Sequence, residues 1–302
     1  MKPDATGSRS AGAVRLDSHH HFWRPSRGDY HWMSPDDPAL APLRRDFLPP
    51  ELAALMQAAD VRHSVLVQAA ATEAETAFML EIAEVTPWVA GVVGWVDLAA
   101  PDCVSRLIRM ATNSKLRGIR PMLQDLPDPH WLLRAPGAQV WDAMTLLELK
   151  LDALVKVDHL PMLELFARQH AGLEVVIDHA AKPALRDGWS SDGMSYWRSQ
   201  MRSLAQQPQL HCKFSGLFNE ASVTDVATMD KALHAIRPVW EFLLEHFGPS
   251  RLMWGSDWPV LNLAGNYERW VAVSDALIGE LSPHEQNQIW SANAVAFYGL
   301  KV

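Results

Sequence analysis

The sequence is poor in cysteine, in excess positive charge and in long apolar stretches. Its two cysteines, Cys103 and Cys212, cannot form a disulfide framework, so we expect a reducing compartment and a cytoplasmic protein. With 27 Lys and Arg against 35 Asp and Glu, the formal net charge is −8, which argues against a nucleic-acid partner because neutralising phosphates needs a basic face. The apolar run over residues 88–96 is far shorter than the roughly 20 residues that cross a bilayer, so we expect no membrane association.

The N-terminal segment MKPDATGSRSAGA is small and polar, and it lacks the apolar core of a secretory signal. We expect residues 1–13 to be a flexible tail. The chain as a whole is 48% hydrophobic and 21% charged, which is typical of a globular protein. Because no linker or internal repeat interrupts the remainder, we predict one domain over residues 14–302. The sequence leaves the oligomeric state open, a homo-oligomer included.

Short segments rich in β-branched residues recur eight times, and segments with apolar residues at helical spacing separate most of them. The predicted strands are residues 14–17, 61–68, 88–97, 115–120, 150–157, 173–178, 209–215 and 251–255. Several are continuously apolar, as parallel strands covered on both faces require. Eight β/α alternations predict an α/β fold, a single closed (β/α)₈ TIM barrel. A GxGxxG motif follows none of the strands, which removes the main support for an open dinucleotide-binding sheet.

A long connection follows the first predicted strand. About 40 residues precede the second strand, a length that is usually functional or disordered in a compact domain. Its early part carries Phe22, Trp23, Tyr30 and Trp32, and disordered segments rarely carry so many aromatic residues. We predict that this loop forms one wall of a binding pocket. The alternative is that its aromatic residues cover the barrel end for stability alone.

Polar side chains follow every predicted strand, at the barrel rim where active sites of this fold lie. In chain order these residues are His19 and His21; Gln68; Trp95 and Asp97; Arg120; Lys156, Asp158 and His159; Asp178 and His179; Lys213 and Ser215; Ser256 and Asp257. A purely structural barrel would not need so many ionisable groups at one rim. The pattern therefore predicts a chemically active site.

His19 and His21 stand two residues apart at a strand end, so in extended backbone both imidazoles point to the same side. Together with His179 and Asp257 they would form a His₃Asp set, which suits Zn²⁺ or Mn²⁺ and leaves room for a water or a substrate oxygen. Taken alone, the HxH pattern is equally typical of loop histidines. His179 alone is typical of a hydrogen-bonded loop residue.

Asp257 lies in the motif WGSDWP, where its carboxylate could accept a proton from water and return it to a leaving oxygen. Arg120, in GIRP, is a fixed cation that could bind a carboxylate or polarise a carbonyl. The structural alternatives are a turn-capping aspartate and a salt bridge. Lys156, Lys182 and Lys213 could form a Schiff base with a carbonyl substrate, but that chemistry leaves the HxH pattern unexplained.

Flat tryptophan faces near the proposed mouth could stack on a sugar-like ring. We predict that the substrate is bound by Trp23, Trp32, Gln68, Arg120 and Trp258. The predicted catalytic residues are Asp257, His179 and Arg120.

Six blocks of sequence resemble the amidohydrolase-2 family of the amidohydrolase superfamily, in particular its L-fuconolactonase-like sugar lactonases. In order between Leu16 and Leu300 these blocks are LDSHHHFW, LRGIRPMLQD, VIDHAAKP, HCKFSGL, RLMWGSDWPV and NAVAFYGL. The resemblance implies a (β/α)₈ barrel that opens a sugar-acid (aldono-type) or related carboxylated lactone by attack of an activated water. It also implies that His19, His21, His179 and Asp257 form the active site.

Two departures limit what the resemblance implies. Pro121 follows Arg120 at a position where sugar lactonases of this group often carry histidine, so the resemblance does not fix the substrate. The chain also has no obvious lysine to carboxylate as a bridge between two metals. We therefore predict at most one divalent ion, Zn²⁺ or Mn²⁺, on which turnover need not depend. A metal-dependent decarboxylase of the same superfamily and a non-catalytic barrel that binds sugar acids are the alternatives.

Overall fold

A computed structural model describes residues 14–302, so the tail predicted over residues 1–13 lies outside the described residues. Eight parallel strands form one sheet in sequence order. They are β1 Arg15–His20, β2 Val61–Val67, β3 Val89–Gly94, β4 Leu116–Ile119, β5 Lys150–Ala153, β6 Val175–Ile177, β7 Leu210–Phe214 and β8 Leu252–Trp254. This arrangement confirms the predicted (β/α)₈ barrel.

The last strand returns to the first. The Ser18 hydroxyl donates a hydrogen bond of 2.7 Å to the carbonyl of Trp254 at the end of β8. Beyond the strand ends, the Asp257 amide donates to the His19 carbonyl at 2.8 Å, and the His21 amide donates to the Trp258 carbonyl at 2.7 Å. These bonds curve the sheet into a barrel and fix the segment after β8 directly beside the segment after β1.

Helices cover the outside of the barrel. In chain order they are α1 Pro49–Ala58, α2 Glu73–Val85, α3 Cys103–Met110, α4 Trp131–Arg134, α5 Ala138–Leu146, α6 Leu160–Gln169, α7 Asp192–Leu204, α8 Leu217–Glu220, α9 Met229–Phe247, α10 Tyr267–Ile278, α11 Pro283–Asn287 and α12 Asn293–Tyr298. Side chains of Thr72 and Thr228 cap α2 and α9 by accepting hydrogen bonds from backbone amides, which satisfies donors that a helix start leaves unpaired. Within residues 14–302, no helix combines the length and apolarity needed to span a bilayer.

Strand β1 is longer than the sequence pattern predicts. It continues from Asp17 to His20 because its side chains find partners in the interior. The His20 ring, for example, shares a hydrogen bond of 2.8 Å with the Ser64 hydroxyl on β2, and neither residue is exposed to solvent. His19 therefore lies within the strand, and His21 is the first residue after it.

The long connection after β1 folds across the C-terminal end of the barrel. Trp23 and Phe47 exchange two backbone hydrogen bonds, of 3.1 and 3.0 Å, which bring the two ends of the connection together. The Phe47 ring packs edge-on against Trp258, with ring centroids 5.3 Å apart. The loop is thereby fixed above the ends of β1 and β8.

Candidate active site

A cavity of about 170 Å³ opens at the C-terminal ends of the strands. Its lining residues are His21, Trp23, Trp32, Ala69, Arg120, Met122, Gln124, Leu154, His179, Lys182, Asp257 and Val260. Ligand pockets for drug-sized molecules usually measure roughly 300–1,000 Å³, so this cavity fits a single small ring. It lies at the predicted rim.

Four residues that are far apart in the sequence meet at the base of this cavity. Around the Asp257 Oδ1 atom, the Nε2 atoms lie at 3.3 Å for His21, 3.7 Å for His179 and 3.9 Å for His19. All four side chains are buried. The arrangement thus surrounds one carboxylate oxygen with three imidazole nitrogens.

Hydrogen bonds behind the rings set which imidazole nitrogen is bare. The His21 Nδ1 atom lies 2.8 Å from the Val67 carbonyl oxygen, and because a carbonyl only accepts, the ring proton is on Nδ1 and the Nε2 lone pair faces the carboxylate. The His179 Nδ1 atom is 2.9 Å from the Ser215 hydroxyl, which leaves its Nε2 toward Asp257 as well. Such support of the far nitrogen is what orients metal-binding histidines.

Each His19 nitrogen faces a cation. Nδ1 lies 3.1 Å from Lys213 Nζ, and Nε2 lies 3.3 Å from Arg120 Nη1. A proton on Nδ1 could be donated to Asp178 Oδ1, which is 3.3 Å away. A proton on Nε2 would have no carboxylate oxygen as close, because Asp257 Oδ1 is 3.9 Å away. We assign the proton to Nδ1, which leaves Nε2 bare.

Three of these residues could hold one divalent metal ion, because ligand atoms of His19, His21 and Asp257 lie within 4.8 Å of one another. The His179 Nε2 atom lies beside this group, 3.7 Å from Asp257 Oδ1. Imidazole nitrogens with one carboxylate oxygen form the mixed set that zinc and related divalent ions prefer. The bare Nε2 atoms of His19 and His21 satisfy the requirement that a coordinating histidine be neutral.

The backbone at two of these residues is strained, and neighbouring glycines make room for the rings. Asp257 and His179 have φ angles of 59° and 53°, in the left-handed region that non-glycine residues rarely adopt. Gly216 has a φ of +68°, and a Cβ atom there would lie 2.5 Å from the His179 Nδ1 atom. A Cβ atom on Gly255 would lie 2.8 Å from the Cβ of His19. Side chains at these two glycines would therefore displace the histidines.

Burial sets the charge states of the cluster. It lowers the pKa of His21, and it lowers the pKa of His179 to about 4, so both rings are neutral at pH 7. Burial would also raise the pKa of the Asp257 carboxyl, but positive charge around the cavity, including that of Lys182, holds this pKa below its ordinary value. Asp257 is therefore a carboxylate at neutral pH.

The structure places the predicted substrate-binding residues in two different settings. Trp23, Trp32 and Arg120 line the cavity. Gln68 is fully buried behind it, where its Nε2 donates a 2.7 Å hydrogen bond to the Arg120 carbonyl. Trp258 is also fully buried, packed against the loop aromatics, and does not line the cavity. These last two residues support the cavity wall from behind.

Arg120 is held by several protein partners. Its Nη1 atom donates to Asp178 Oδ2 at 3.2 Å, and its Nη2 atom donates to the carbonyl of Gln68. The guanidinium therefore reaches the cavity with most of its donors already engaged. The salt bridge that the sequence left as an alternative for Arg120 is present.

Lys213 belongs to a network inside the barrel and does not line the cavity. Its Nζ atom lies 3.1 Å from Asp178 Oδ1 and contacts Asp152, which also accepts a 2.8 Å hydrogen bond from the Tyr298 hydroxyl. Lys213 and both aspartates are fully buried. We assign Lys213 a structural role. Sequence reasoning missed Asp152 and Tyr298, although an aspartate within the otherwise apolar interior of β5 was a visible signal.

The comparisons with known proteins agree with this geometry. The sequence profile of the Amidohydrolase family matches residues 16–300. An L-fucono-1,5-lactonase of Burkholderia ambifaria is 39% identical over 288 residues, which cover 94% of this chain and 95% of that protein. An L-fucono-1,5-lactonase of Burkholderia multivorans is 37% identical over 304 residues, which cover 96% and 97% of the two chains.

A solved structure also shows similarity to an amidohydrolase. The crystal structure of an amidohydrolase from Burkholderia multivorans with bound zinc is 37% identical, superimposes with a TM-score of 0.88, and covers 96% of this chain and 100% of its own. The match runs over nearly the whole described barrel. The chain belongs to the amidohydrolase family.

Proposed function

We propose that this chain is a lactonase, a carboxylic ester hydrolase that opens a sugar-acid (aldono-type) or related lactone. The observation that carries this proposal is the Asp257 carboxylate, enclosed by the Nε2 atoms of three histidines at 3.3–3.9 Å, at the base of a small cavity. Two relatives at 37–39% identity are named L-fucono-1,5-lactonase, which makes L-fucono-1,5-lactone the first substrate to test.

Asp257 is the general base in the proposed reaction. As the oxygen of a water molecule bonds to the lactone carbonyl carbon, the carboxylate takes one of its protons, and the carbonyl electron pair moves onto oxygen. The bond from that carbon to the ring oxygen then breaks, and Asp257 returns the proton to the ring oxygen as it leaves. The products are one hydroxyl group and one carboxylic acid, which ionises at neutral pH.

The other residues orient the reactants. His21 presents a bare nitrogen beside Asp257, which can accept a hydrogen bond from the attacking water, and the His179 Nε2 atom lies within 3.7 Å of the same carboxylate. Trp23 and Trp32 meet at the cavity wall with ring centroids 5.5 Å apart and nearly perpendicular planes, and the half-buried Trp32 offers apolar surface against which a sugar ring can pack. The Arg120 guanidinium adds positive charge beside the reacting carbonyl.

We propose that a single ion, Zn²⁺ or Mn²⁺, is held by His19, His21, His179 and Asp257. A bound divalent ion supplies Lewis-acid stabilisation of negative charge on oxygen. Turnover need not depend on it, because the carboxylate base is present without it. Dialysis against a chelator, followed by metal analysis and an activity assay with Zn²⁺ or Mn²⁺ added back, measures metal occupancy and the dependence of activity on metal separately.

Both cysteines are buried and unpaired, in keeping with the reducing cytoplasm that we propose as the location of the protein.

The test is a panel of aldono-, urono- and muconolactones followed with a pH indicator. We expect acid release from at least one aldonolactone, and we expect Asp257→Asn to lower kcat by about 10³–10⁴-fold, the upper range for loss of a general acid–base group. The variant should keep the melting temperature of the wild type within a few degrees. Near-normal hydrolysis by this variant would show that Asp257 is not the base.

Two other outcomes would favour the alternative functions. Release of CO₂ from a carboxylated substrate would point to the decarboxylase alternative, and tight sugar-acid binding without turnover would point to a binding protein.

A further inference from the structure

We propose that Lys182 is a further catalytic residue, and that its ammonium binds the reacting carbonyl group as its oxygens become a carboxylate. This assignment rests on the proposed lactone hydrolysis. It adds a cation that the sequence considered only for Schiff-base chemistry.

The backbone places Lys182 and His179 on the same cavity. Residues 179–182 have consecutive φ angles of 53°, 50°, 59° and 52°, and none of them is glycine. A left-handed turn of four non-glycine residues is unfavourable at every step, and such strain persists where the surrounding structure and a function demand it. The Lys182 amide closes the turn by donating to the His179 carbonyl at 2.9 Å, and both ends of the turn line the cavity.

Lys182 is the cation of the cavity lining whose charge is uncommitted. Arg120 is engaged by Asp178 and by the Gln68 carbonyl. Lys156, near the rim, donates to the Gln124 carbonyl at 3.3 Å. Among residues 14–302, Lys182 Nζ has no hydrogen bond and no carboxylate oxygen within 4.0 Å, although its side chain is half-buried.

Lys182 and the reacting carboxylate of Asp257 line the same cavity. The side chain of Lys182 is only half-buried, so its ammonium is available to a ligand bound there.

The chemistry creates one negative charge in this place. A neutral lactone and water give a hydroxy acid: the C–O bond to the incoming water forms, the C–O bond to the ring oxygen breaks, and the ring oxygen receives the proton that Asp257 carried. The new acid then releases its proton to solvent, which leaves a carboxylate beside the regenerated Asp257 carboxylate. A cation without a protein partner offsets that repulsion, first at the oxyanion and then at the product.

The experiment compares Lys182→Met, Lys182→Gln and Lys182→Arg with Lys156→Met as the matched control. On the lactone that the wild type opens fastest, kcat and KM are measured, and the affinity for the corresponding hydroxy-acid anion is measured by calorimetry. We expect the Met and Gln variants to lower kcat by about 10²-fold or more, in line with loss of one oxyanion partner. We also expect the anion to bind at least about tenfold more weakly, because its oppositely charged partner in a partly buried cavity is lost.

Lys182→Arg should recover part of both losses, whereas Lys156→Met should stay close to wild type in both. A merely structural role would move the melting temperature without weakening the anion selectively relative to the lactone. If folded Lys182→Met and Lys182→Gln keep wild-type kcat and anion affinity, the assignment is overturned while the proposed hydrolysis stands. A wild-type protein that opens no lactone would overturn both.

Discussion

Two sets of buried polar residues lie close together in the barrel, and they differ in what their polar atoms face. The cavity-facing set consists of His19, His21, His179 and Asp257, whose imidazole Nε2 atoms lie 3.3–3.9 Å from one carboxylate oxygen. In the interior set, Lys213 lies between Asp152 and Asp178, and Tyr298 donates to Asp152. Both sets are almost completely hidden from solvent.

The difference teaches how one barrel uses the same residue types for two purposes. In the interior set, each carboxylate contacts the Lys213 ammonium, and Asp178 also contacts Arg120, so the desolvation of each ion is offset by an oppositely charged partner. In the cavity-facing set, three neutral rings surround one carboxylate, and no lysine or arginine among residues 14–302 forms a salt bridge with it. Such an arrangement is less stable than a paired one and suits the binding of a cation or the uptake of a proton.

The largest expected effect comes from breaking the interior set. Lys213→Met leaves Asp152 and Asp178 buried without their shared ammonium, and removal of one partner from a buried ion pair usually destabilises by about 3–5 kcal/mol. We expect a loss of that size in the free energy of unfolding, measured by urea denaturation followed by circular dichroism.

The matched control in the cavity-facing set is Asp257→Asn. It removes a charge that no cation contacts, so we expect its free energy of unfolding to stay within about 1 kcal/mol of wild type or to rise, as at other functional sites. A loss in Asp257→Asn as large as that in Lys213→Met would abolish the distinction between the two sets.

The cavity-facing set could be predicted from the sequence because the fold alone brings it together. In a parallel barrel the C-terminal ends of all strands lie at one rim. His19, His179 and Asp257 are therefore expected near one another once β1, β6 and β8 are recognised. Which cation pairs with the buried carboxylates of the interior set could not be predicted in this way. Whether Lys213 points into the barrel or into the cavity depends on strand register, since a shift of one residue reverses the side-chain direction.

The settings of Gln68 and Trp258 were beyond the sequence for a different reason. Both follow strands and carry groups that bind sugars well, yet the loop after β1 packs Phe47 over Trp258, and the Arg120 carbonyl takes the amide of Gln68. These contacts are long-range and arise only when the loop has folded. Trp23 and Trp32, from the same loop, do line the cavity, so the loop both forms a wall and covers the barrel end.

A second prediction concerns Glu75, a buried carboxyl group behind the cavity wall that belongs to neither set. Its oxygens accept hydrogen bonds from the Ala69 and Ala70 amides, at 3.0 and 2.6 Å, and no cation among residues 14–302 forms a salt bridge with it. Burial raises its pKa from 4.5 to about 8, against the effect of those amides. Between these values the folded protein holds a proton that the unfolded chain has released, so stability falls as pH rises through this window.

Glu75→Gln should remove that contribution. Between pH 5.5 and 7.5 we expect the free energy of unfolding of the wild type to fall relative to that of the variant. The fall should be at most about 1.4 kcal/mol per pH unit, the limit for one proton. Urea denaturation of both proteins at these two pH values measures the change in their difference. A difference that is the same at both pH values would mean that Glu75 is ionised throughout, as a carboxylate with a cation partner would be.

The smallest expected effect tests whether the loop wall is part of the binding site or only a cover. Trp32→Phe keeps an aromatic face in the cavity but removes the indole N–H, which donates a 2.7 Å hydrogen bond to the Ala69 carbonyl. We expect a loss of about 1 kcal/mol in unfolding free energy, typical of one hydrogen bond, and a rise in KM of a few-fold with little change in kcat, because the wall shifts while Asp257 stays in place. Trp189→Phe, a partly buried tryptophan that does not line this cavity, is the control for aromatic replacement. If KM in Trp32→Phe matches KM in Trp189→Phe and both match wild type, the loop tryptophan covers the barrel end without contributing to substrate binding.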